Sequence, residues 1–480
     1  MTCLRQTSLI AHLLAALVTA TLAAQGRPGP QDSTLIARIL AAEDRRDTLD
    51  TSLTEGRRST DPRIRLLATR AWDRIGDSTF TRRDSFPPLA LPPVWPEAAW
   101  RLRYRALAGQ RTDCVALGAA LVDSAWPVRL HAADLLPATC AGNAAVLAVL
   151  ASWLDRLPAD LSRRERGGVS WQPAAHALLA LSRLRPADAG QRLAGFVTSR
   201  NSHLRVYAAR AAAVMEDATT LYTLGRDRDP NVREAAIEAL TRLTGHADDG
   251  LYLEALEARE PQVVRAAALA LAGSPDTAVR IRLEHAFTRW VARGNDSERD
   301  VRLALLKAAG RPASDDRPPV RHVELPPEAV ALALGADVRV RVTMAEASGG
   351  GSFVVRFRGD VAPITAARVL ALADRGYYNG FTWHRVEHDF VIQGGSPLDN
   401  EYSGYRDYFR DELGTIAHPR GTVGMSTRGH DTGDAQWFVN LRDNPRLERD
   451  YTVFGEVVEG MDVVDQVMEG DVIQRIERVP

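Results

Sequence analysis

Two kinds of chemistry are compatible with residues 383–396, which read "WHRVEHDFVIQGGS". His384, Glu387 and His388 have the spacing H-x-x-E-H, which occurs in zinc peptidases of the inverted type. The same stretch places Arg385 and Gln393 along an apolar segment that ends in a glycine pair, as in an apolar groove with one directed cation. The structural elements around these residues decide between the two interpretations.

The metal interpretation requires a helix, because only a helix brings both histidines and the glutamate to one ion. β-Branched and aromatic residues surround the motif, and "DFVIQGG" continues as a strand. In a strand His384 and His388 share one face while Glu387 points to the other. We therefore predict no metal site, with His384 packed in the core and His388 in a surface bend.

Length and composition exclude several other classes of function. A chain of 480 residues is too long for one hydrophobic core and predicts at least two domains. The net charge of −1 gives no electrostatic reason to bind nucleic acid or an anionic membrane. Lys307 is the only lysine, and no phosphate-binding loop surrounds it, so P-loop and lysine Schiff-base chemistry are excluded.

The first 24 residues have the pattern of a secretory signal peptide. Arg5 precedes an apolar run from Leu9 to Ala24, and a polar stretch rich in Pro and Gly follows. An uncleaved anchor is the alternative, against which the shortness of the run argues. No later stretch is apolar enough to cross a bilayer, so we expect an exported protein, periplasmic or secreted, with no membrane span after signal cleavage.

Signal cleavage would leave two cysteines, Cys114 and Cys140. In an oxidising compartment the two could form a disulfide. Two separate buried thiols in a helical core are the alternative. The sequence alone leaves both open.

A degenerate phrase recurs between residues 35 and 310: a turn residue, an aliphatic residue followed by arginine, then alanines at helical spacing. Recurrence at roughly 30–40 residues is typical of helix pairs that must stack to bury their apolar faces. Asp-Pro or Glu-Pro before a copy offers an N-cap and a first-turn proline. The pattern resembles the HEAT-like repeats and predicts an all-α superhelix over residues 25–310. The arginines of the clear copies are Arg65, Arg129, Arg205, Arg233, Arg265 and Arg302.

This resemblance implies a surface for a possible protein partner, and a spacer or self-association element is the alternative. Residues 311–335 are rich in Pro, Asp and Arg and predict a semi-rigid linker. Beyond it the hydrophobic period changes from 3.6 to 2, because "VRVRVTM" alternates strictly and "SFVVRFR" returns after a glycine turn. Short strands and two helices, one opened by Pro363 and one near residues 461–468, predict a closed antiparallel β-barrel with two helices.

The segment 336–480 resembles the cyclophilin-type peptidyl-prolyl cis-trans isomerases over nearly the whole length of that domain. Four stretches in family order carry the resemblance: "APITAARVLALADRGYYNG", "FTWHRVEHDFVIQGGS", "GTVGMSTRGHDTGDAQWFVNL" and "YTVFGEVVEGMDVV". The whole chain is thus expected to be a HEAT-like superhelix followed by a cyclophilin-like barrel. Several ordered motifs outweigh the five-residue zinc pattern.

The resemblance also implies the roles of particular residues. Arg385 would be the catalytic cation that donates to the prolyl group, and Gln393 would orient it and bond the substrate backbone. The remaining catalytic positions are Phe390 and Phe438. The substrate-binding positions are Val391, Ser426, Thr427, Gln436, Leu447 and Tyr451.

Three departures from the family pattern affect the wall of the pocket. Val391 stands where methionine is frequent, Arg446 where tryptophan is frequent, and Tyr451 where histidine is frequent. The segment 426–428 reads Ser-Thr-Arg, which leaves the peptide preference open. These changes bear more on affinity than on the reaction.

The expected reaction is rotation about the bond before proline, which needs no cofactor. We predict a peptidyl-prolyl cis-trans isomerase that assists the folding of exported proteins by acting on proline-containing polypeptides. Its helical repeats would serve protein–protein interaction. The alternative is a weakly active or inactive scaffold protein that binds proline peptides.

Overall fold

The computed structural model of the protein describes residues 30–76, 95–155, 169–316, 325, 328–414 and 416–479. The predicted signal segment, residues 1–24, lies outside these ranges, so the predicted cleavage and export stay predictions. Among the described helices, none combines the length and the apolar character needed to span a membrane.

Described residues up to 308 are organised as α-helices joined by short turns. Asp229 accepts hydrogen bonds from the N–H groups of Asn231 and Val232, and so caps the helix that begins at Pro230, as predicted. Glu260 precedes a helix in the same way, but its side chain makes no capping bond. The helices are α1 (Pro30–Arg45), α2 (Thr51–Arg57), α3 (Pro62–Gly76), α4 (Ala99–Ala106), α5 (Cys114–Ala120), α6 (Trp126–Leu135), α7 (Ala144–Asp155), α8 (Gln172–Leu184), α9 (Pro186–Val197), α10 (Ser202–Val214), α11 (Ala218–Leu224), α12 (Pro230–Leu243), α13 (Asp249–Ala255), α14 (Pro261–Ala270), α15 (Thr277–Arg293) and α16 (Arg299–Ala308).

In four of the six clear copies the arginine of the recurring phrase has the same structural role, whereas Arg233 and Arg265 form ion pairs with Glu260 and Glu238. Nη1 of Arg205 donates to the carbonyl of Ser199 at 2.8 Å, and Nη1 of Arg302 donates to that of Asn295 at 2.6 Å. Each bond ties a helix to the turn that precedes it, which explains why this residue type recurs. The equivalent bond is made by Arg65 and Arg129.

The helices that carry the later copies form a stack. Helices α6, α8, α10, α12, α14 and α16 pack one against the next, and α9, α11, α13 and α15 lie against them as a second layer. Buried alanines such as Ala208 and Ala236 allow close approach, and one apolar cluster extends from Leu107 to Ala309. The predicted helical organisation is thus confirmed, while its assignment to the HEAT-like family remains a prediction.

Helices α1 to α3 pack elsewhere. Ile36, Leu40 and Leu67 share an apolar cluster with Val340 and Phe353 of the C-terminal sheet, apart from the cluster of the helical stack. Helices α1 to α3 therefore complete the apolar core of the C-terminal sheet. The predicted domain boundaries stay predictions.

A disulfide joins Cys114, at the start of α5, to Cys140, with 5.5 Å between their Cα atoms. Of the two alternatives that the sequence leaves open, the structure thus has the bridge. It closes a loop with a sequence separation of 26 residues. Loop closure of this length restricts the unfolded chain and stabilises the fold by about 3 kcal/mol.

The C-terminal part of the chain is a curled, antiparallel, eight-stranded sheet, whose strands, numbered along the chain, lie in the order β3-β4-β6-β5-β7-β2-β1-β8. In β1, Val340, Val342 and Met344 are buried and alternate with more exposed residues, which confirms the predicted alternation. Helix α18 confirms the helix predicted from Pro363. The elements are α17 (Glu328–Ala333), β1 (Arg339–Met344), β2 (Ser352–Phe357), α18 (Pro363–Asp374), β3 (Arg385–Val386), β4 (Val391–Gly394), β5 (Thr422–Met425), β6 (Trp437–Asn440), β7 (Val453–Glu459), α19 (Met461–Val464) and β8 (Ile473–Val479).

The two edge strands of this sheet, β3 and β8, do not form a continuous ladder in the described residues. An isolated bridge between Thr382 and Val472 joins the segments just before them. There Trp383 N–H donates to the Asp471 carbonyl at 2.8 Å. The expected closed barrel is therefore confirmed only as a curled antiparallel sheet, because in the described residues the backbone bonds between the two edges lie at 380–383 and 470–473, before β3 begins.

Candidate active site

Strand pairing places several of the predicted site residues in one row across the sheet. Arg385 on β3 lies opposite Gln393 on β4, and Gln393 lies opposite Phe438 on β6. Phe438 in turn lies opposite Gly424 on β5. Directly opposed residues of neighbouring strands project from the same face. The guanidinium, the amide and the aromatic ring are therefore set side by side by strand register.

An apolar cluster lies beside this row, separate from the two large cores. Its buried members are Val391, Phe438 and Leu447, and Phe390 and Tyr451 pack against them half-buried. The rings of Phe438 and Tyr451 meet edge to face, with centroids 5.9 Å apart. Each of these residues alone could have belonged to the barrel core, but together they form a separate apolar cluster with two half-buried members. Its use as a proline pocket stays a prediction.

Two glutamines connect the row to the neighbouring loop. Nε2 of Gln393 donates to Oε1 of Gln436 at 2.9 Å, and both side chains are buried. Nε2 of Gln436 donates to the Ser403 carbonyl at 2.6 Å, and the Gln436 carbonyl accepts from Ser426 N–H at 2.9 Å. Thr427 follows Ser426 in the chain, and both are half-buried. The nine other predicted site residues thus belong to the row, to the apolar cluster or to the glutamine network.

Arg385 contacts Gln393, as the resemblance implied, and two carboxylates that the sequence analysis did not identify. Its Nη1 donates to Oε1 of Gln393 at 3.3 Å and lies 3.5 Å from Oε1 of Glu401, and its Nη2 bonds Glu387. Its side chain is 36% exposed, and its Cζ lies 5.7 Å from the centroid of the Phe390 ring. For Glu387, two residues along the strand, the same-face spacing could have signalled the pair. No local sequence pattern indicates that Glu401 contacts Arg385.

Arg446 forms part of the pocket wall. Its Cζ lies 3.9 Å from the centroid of Phe390, which is a cation–π stack. A flat guanidinium therefore covers one face of this ring at the position where the family often has a tryptophan. The substitution changes the charge of the wall while an extended planar group still covers the ring.

Three histidines near the site are held neutral: His418 is buried, and His384 and His388 are half-buried. Burial, with help from Arg385, lowers the pKa of His384 to about 4. Burial lowers the pKa of His418, which lies 6.2 Å from Phe438 between ring centroids, to about 4. Burial likewise lowers the pKa of His388 to about 3. His388 does not lie in a surface bend, because the ring of Trp100 on α4 packs against it with centroids 5.8 Å apart.

The H-x-x-E-H residues do not converge in the structure. His384 precedes β3, whereas Glu387 pairs with Arg385 and His388 faces α4. Within the described ranges no group of three or more His, Cys, Asp or Glu side chains is placed to hold a metal ion.

Gly424→Ala is expected to lower kcat/KM about tenfold. A Cβ at this position would overlap the ring of Phe438, so the ring would have to leave its place in the pocket. Overpacking of this kind costs about 1–3 kcal/mol, and 1.4 kcal/mol corresponds to a factor of ten. The measurement is isomerisation of a short X-Pro peptide, with Gly250→Ala as control, because open space surrounds Gly250. Unchanged kcat/KM in a folded Gly424→Ala protein would mean that the placement of Phe438 is not critical.

Comparisons with known proteins identify the family of the C-terminal segment. The profile of the family "Cyclophilin type peptidyl-prolyl cis-trans isomerase/CLD" matches residues 340–479. A peptidyl-prolyl cis-trans isomerase of Helicobacter pylori is 36% identical over 119 residues, which are 24% of this chain and 73% of that protein. One of Schizosaccharomyces pombe is 37% identical over 118 residues, which are 24% of this chain and 76% of that protein. A solved cyclophilin type isomerase of Cryptosporidium parvum aligns with a TM-score of 0.28 and 23% identity, over 30% of this chain and 98% of that chain.

Because relatives that are 36% and 37% identical over the aligned segment are covered to 73% and 76% of their own length, the chain belongs to the cyclophilin-type peptidyl-prolyl cis-trans isomerases. Enzymes of this class rotate the peptide bond that precedes proline.

Proposed function

We propose that this protein isomerises X-Pro bonds of exported polypeptides during their folding, with Arg385 as the catalytic group and the Phe390–Phe438–Tyr451 pocket as the proline site. The observation that carries the assignment is the row of Arg385, Gln393 and Phe438 across three paired strands. It sets one fixed cation next to one apolar pocket, which is what the reaction requires.

The reaction breaks amide resonance against a barrier of about 18–20 kcal/mol, which makes the uncatalysed rotation slow. In the transition state the proline nitrogen is pyramidal and more basic than in the planar ground state. A catalyst must therefore favour that state over the ground state. No σ bond breaks, so the rotation requires neither a nucleophile nor a cofactor.

Arg385 can supply the donors for this charge redistribution. Its guanidinium stands at the rim of an apolar pocket, where donors stabilise developing charge better than water does. Gln393 limits its orientation through the 3.3 Å bond. A rate gain of about 10⁵ requires lowering the barrier by about 7 kcal/mol, which the guanidinium and the pocket would provide together.

Two observations support export and a folding role. The chain begins with a signal-like segment, and the Cys114–Cys140 disulfide suits an oxidising compartment, periplasmic or extracellular. The proposed clients are proline-containing polypeptides that pass through that compartment. The helical stack offers an extended surface, for which we propose a protein partner.

The folding role is tested with a secreted protein whose refolding has a slow proline-limited phase. The mature enzyme is expected to accelerate that phase at substoichiometric concentration, and the Arg385→Ala protein is expected not to. If the enzyme isomerises short peptides but leaves the slow phase unchanged, the folding role is wrong.

The second candidate function is a peptide-binding scaffold with little turnover. The stacking of Arg446 on Phe390, together with the two carboxylates that occupy Arg385, favours it. Titration of a labelled X-Pro peptide, combined with exchange NMR on the same sample, separates the two functions. Saturable binding without accelerated cis-trans exchange would favour the scaffold.

A further inference from the structure

We infer that the helical stack is a working part of the isomerase site: Asn231 on α12 and Arg265 on α14 position the substrate groove through one loop. This loop, residues 398–408, is called the bridging loop below. The inference rests on the proposed placement of the active site at Arg385.

The first contact of the bridging loop with the stack is a set of side-chain amides. Nδ2 of Asn231 donates to the Leu398 carbonyl at 2.9 Å. Its Oδ1 accepts from Nε2 of Gln262 at 3.0 Å and from Nδ2 of Asn400 at 3.4 Å. Gln262 is fully buried, so this amide pair is enclosed between helices and loop. A loop carbonyl is thereby held by a side chain that is itself held in place.

The second contact is a stack on the next residues of the loop. Cζ of Arg265 lies 3.9 Å from the centroid of the Tyr402 ring. The guanidinium is oriented by Glu234 at 3.6 Å and Glu238 at 3.4 Å, both on α12. The desolvation of Glu234, with Glu238 nearby, raises its pKa to about 8, so the 3.4 Å contact with Glu238 is the one that anchors the guanidinium. Arg265 is therefore anchored on one side and presents a flat face to the loop on the other.

The far end of the bridging loop is held at the start of α16. The N–H of Asp296 donates to the Arg406 carbonyl at 2.8 Å, and Nε of Arg406 donates to Oδ1 of Asn295 at 3.1 Å. Arg428, the residue after the predicted substrate positions 426 and 427, forms an ion pair with Asp300 on α16. The start, the middle and the end of the bridging loop thus each contact the stack.

The opposite side of the loop reaches the proposed active site. Carbonyls of the loop, at Asn400, Glu401 and Ser403, accept from Nε2 of Gln436. The carboxylate of Glu401 lies 3.5 Å from Nη1 of Arg385. Gln436 and Arg385 are both predicted to touch substrate, so the loop joins the stack to both by direct contacts.

The hairpin of β3 and β4, which carries Arg385, is supported at its turn by α4. Arg101 on α4 bonds the carbonyl of His388, and Arg105 lies 3.2 Å from Asp389. The turn between β3 and β4 is therefore held by α4, which packs against α6 at the start of the stack, and the bridging loop is held by later helices. A displacement of about 1 Å in a positioning element can cost about 10²-fold in rate, so supports on two sides are consequential.

The test uses the full chain and isomerisation of a short X-Pro peptide. The double variant Asn231→Ala, Arg265→Ala is expected to lower kcat/KM about tenfold with the protein folded. Arg233→Ala is the matched control: its 2.8 Å ion pair with Glu260 joins the same α12 and α14 pair without touching the loop. The control is expected to stay within twofold of the unchanged protein. A double variant equal to the control would overturn the inference.

A cycle with Glu401→Gln distinguishes positioning from simple loss of stability. If the stack acts through the loop, combining Glu401→Gln with the double variant will lower kcat/KM by much less than the product of the separate factors. Factors that multiply would contradict the inference. Arg265→Lys keeps the charge and is expected to retain most of the activity that Arg265→Ala loses. If the double variant does not fold, the comparison of Arg265→Lys with Arg265→Ala takes its place. Full activity of Arg385→Ala would instead refute the proposed site itself.

Discussion

Arg385→Ala is expected to lower kcat/KM for a short X-Pro peptide by about 10²–10³-fold while the protein stays folded. Removal of one directed donor from a water-poor site costs about that much in comparable enzymes. The side chain is partly exposed and belongs to neither large core, so the fold should persist. The measurement is cis-trans isomerisation of the peptide by the mature protein, with the near-UV spectrum as a check on folding.

Arg339→Ala is a closely matched control. Arg339 lies on β1 of the same sheet with a side chain 43% exposed, and it pairs with Asp337 two residues away, as Arg385 pairs with Glu387. Its removal should leave activity unchanged. Arg385→Lys should be intermediate, because lysine keeps the charge but lacks the planar fork of donors. If Arg385→Ala retains full activity, the site assignment fails and the scaffold function gains no support either.

Arg74→Ala is expected to lower the free energy of unfolding by about 3–5 kcal/mol. The Arg74 side chain is 5% exposed and forms a 2.8 Å ion pair with the fully buried Glu43. It also donates to the carbonyls of Leu413 at 2.9 Å and Val361 at 2.7 Å. The variant would leave a buried carboxylate and two loop carbonyls without this partner. Denaturant unfolding at pH 7 measures the loss.

The pH dependence gives this prediction a second readout. Burial acts to raise the pKa of Glu43, but Arg74 and Arg70 outweigh it and hold that pKa below its ordinary value. Glu43 therefore contributes stability above its unfolded pKa, and this contribution is lost as the pH falls through the lower folded pKa. Without Arg74, burial outweighs the remaining charges and raises the pKa of Glu43, so protonation of this carboxyl removes the cost of burying its charge. The difference in the free energy of unfolding between the variant and the unchanged protein should therefore narrow between pH 7 and pH 5.

Arg65→Ala on the same helix is the control for this experiment. Arg65 is exposed and bonds only backbone carbonyls of the preceding turn in the described contacts. Its loss should cost less than about 1 kcal/mol. Equal losses for the two variants would show that the buried pair adds nothing beyond the turn contacts. Arg65 belongs to one copy of the recurring phrase, and its helix α3 packs in the same apolar cluster as the C-terminal sheet.

Several parts of the fold follow from local pattern. The alternation of "VRVRVTM" predicted β1, and the alanine-rich phrase predicted the helices of the stack, because both depend on periods of a few residues. The pocket members also came from pattern, through four motifs in family order. Strand register then brings Arg385, Gln393 and Phe438 together, as their motif positions required.

Other features depend on residues far apart in the chain and have no local signal. The closed barrel is one, since in the described residues the two edges of the sheet are joined at 380–383 and 470–473, before β3 begins, and not by a ladder between β3 and β8. The environment of His388 is another, because the bend that should have been exposed is covered by Trp100 from α4. A surface bend and a bend under a helix read the same in sequence.

From the order of its residues alone, this chain could be assigned a long α-helical part, a shorter C-terminal β-sheet part and a predicted proline-binding pocket, because periodicity and motif spacing are local properties. The folded chain adds the pairing of Cys114 with Cys140, the union of α1 to α3 with the sheet, and the contact of Glu401 with Arg385. Each of these joins segments through packing, and packing selects among many possible partners only when the whole chain is assembled.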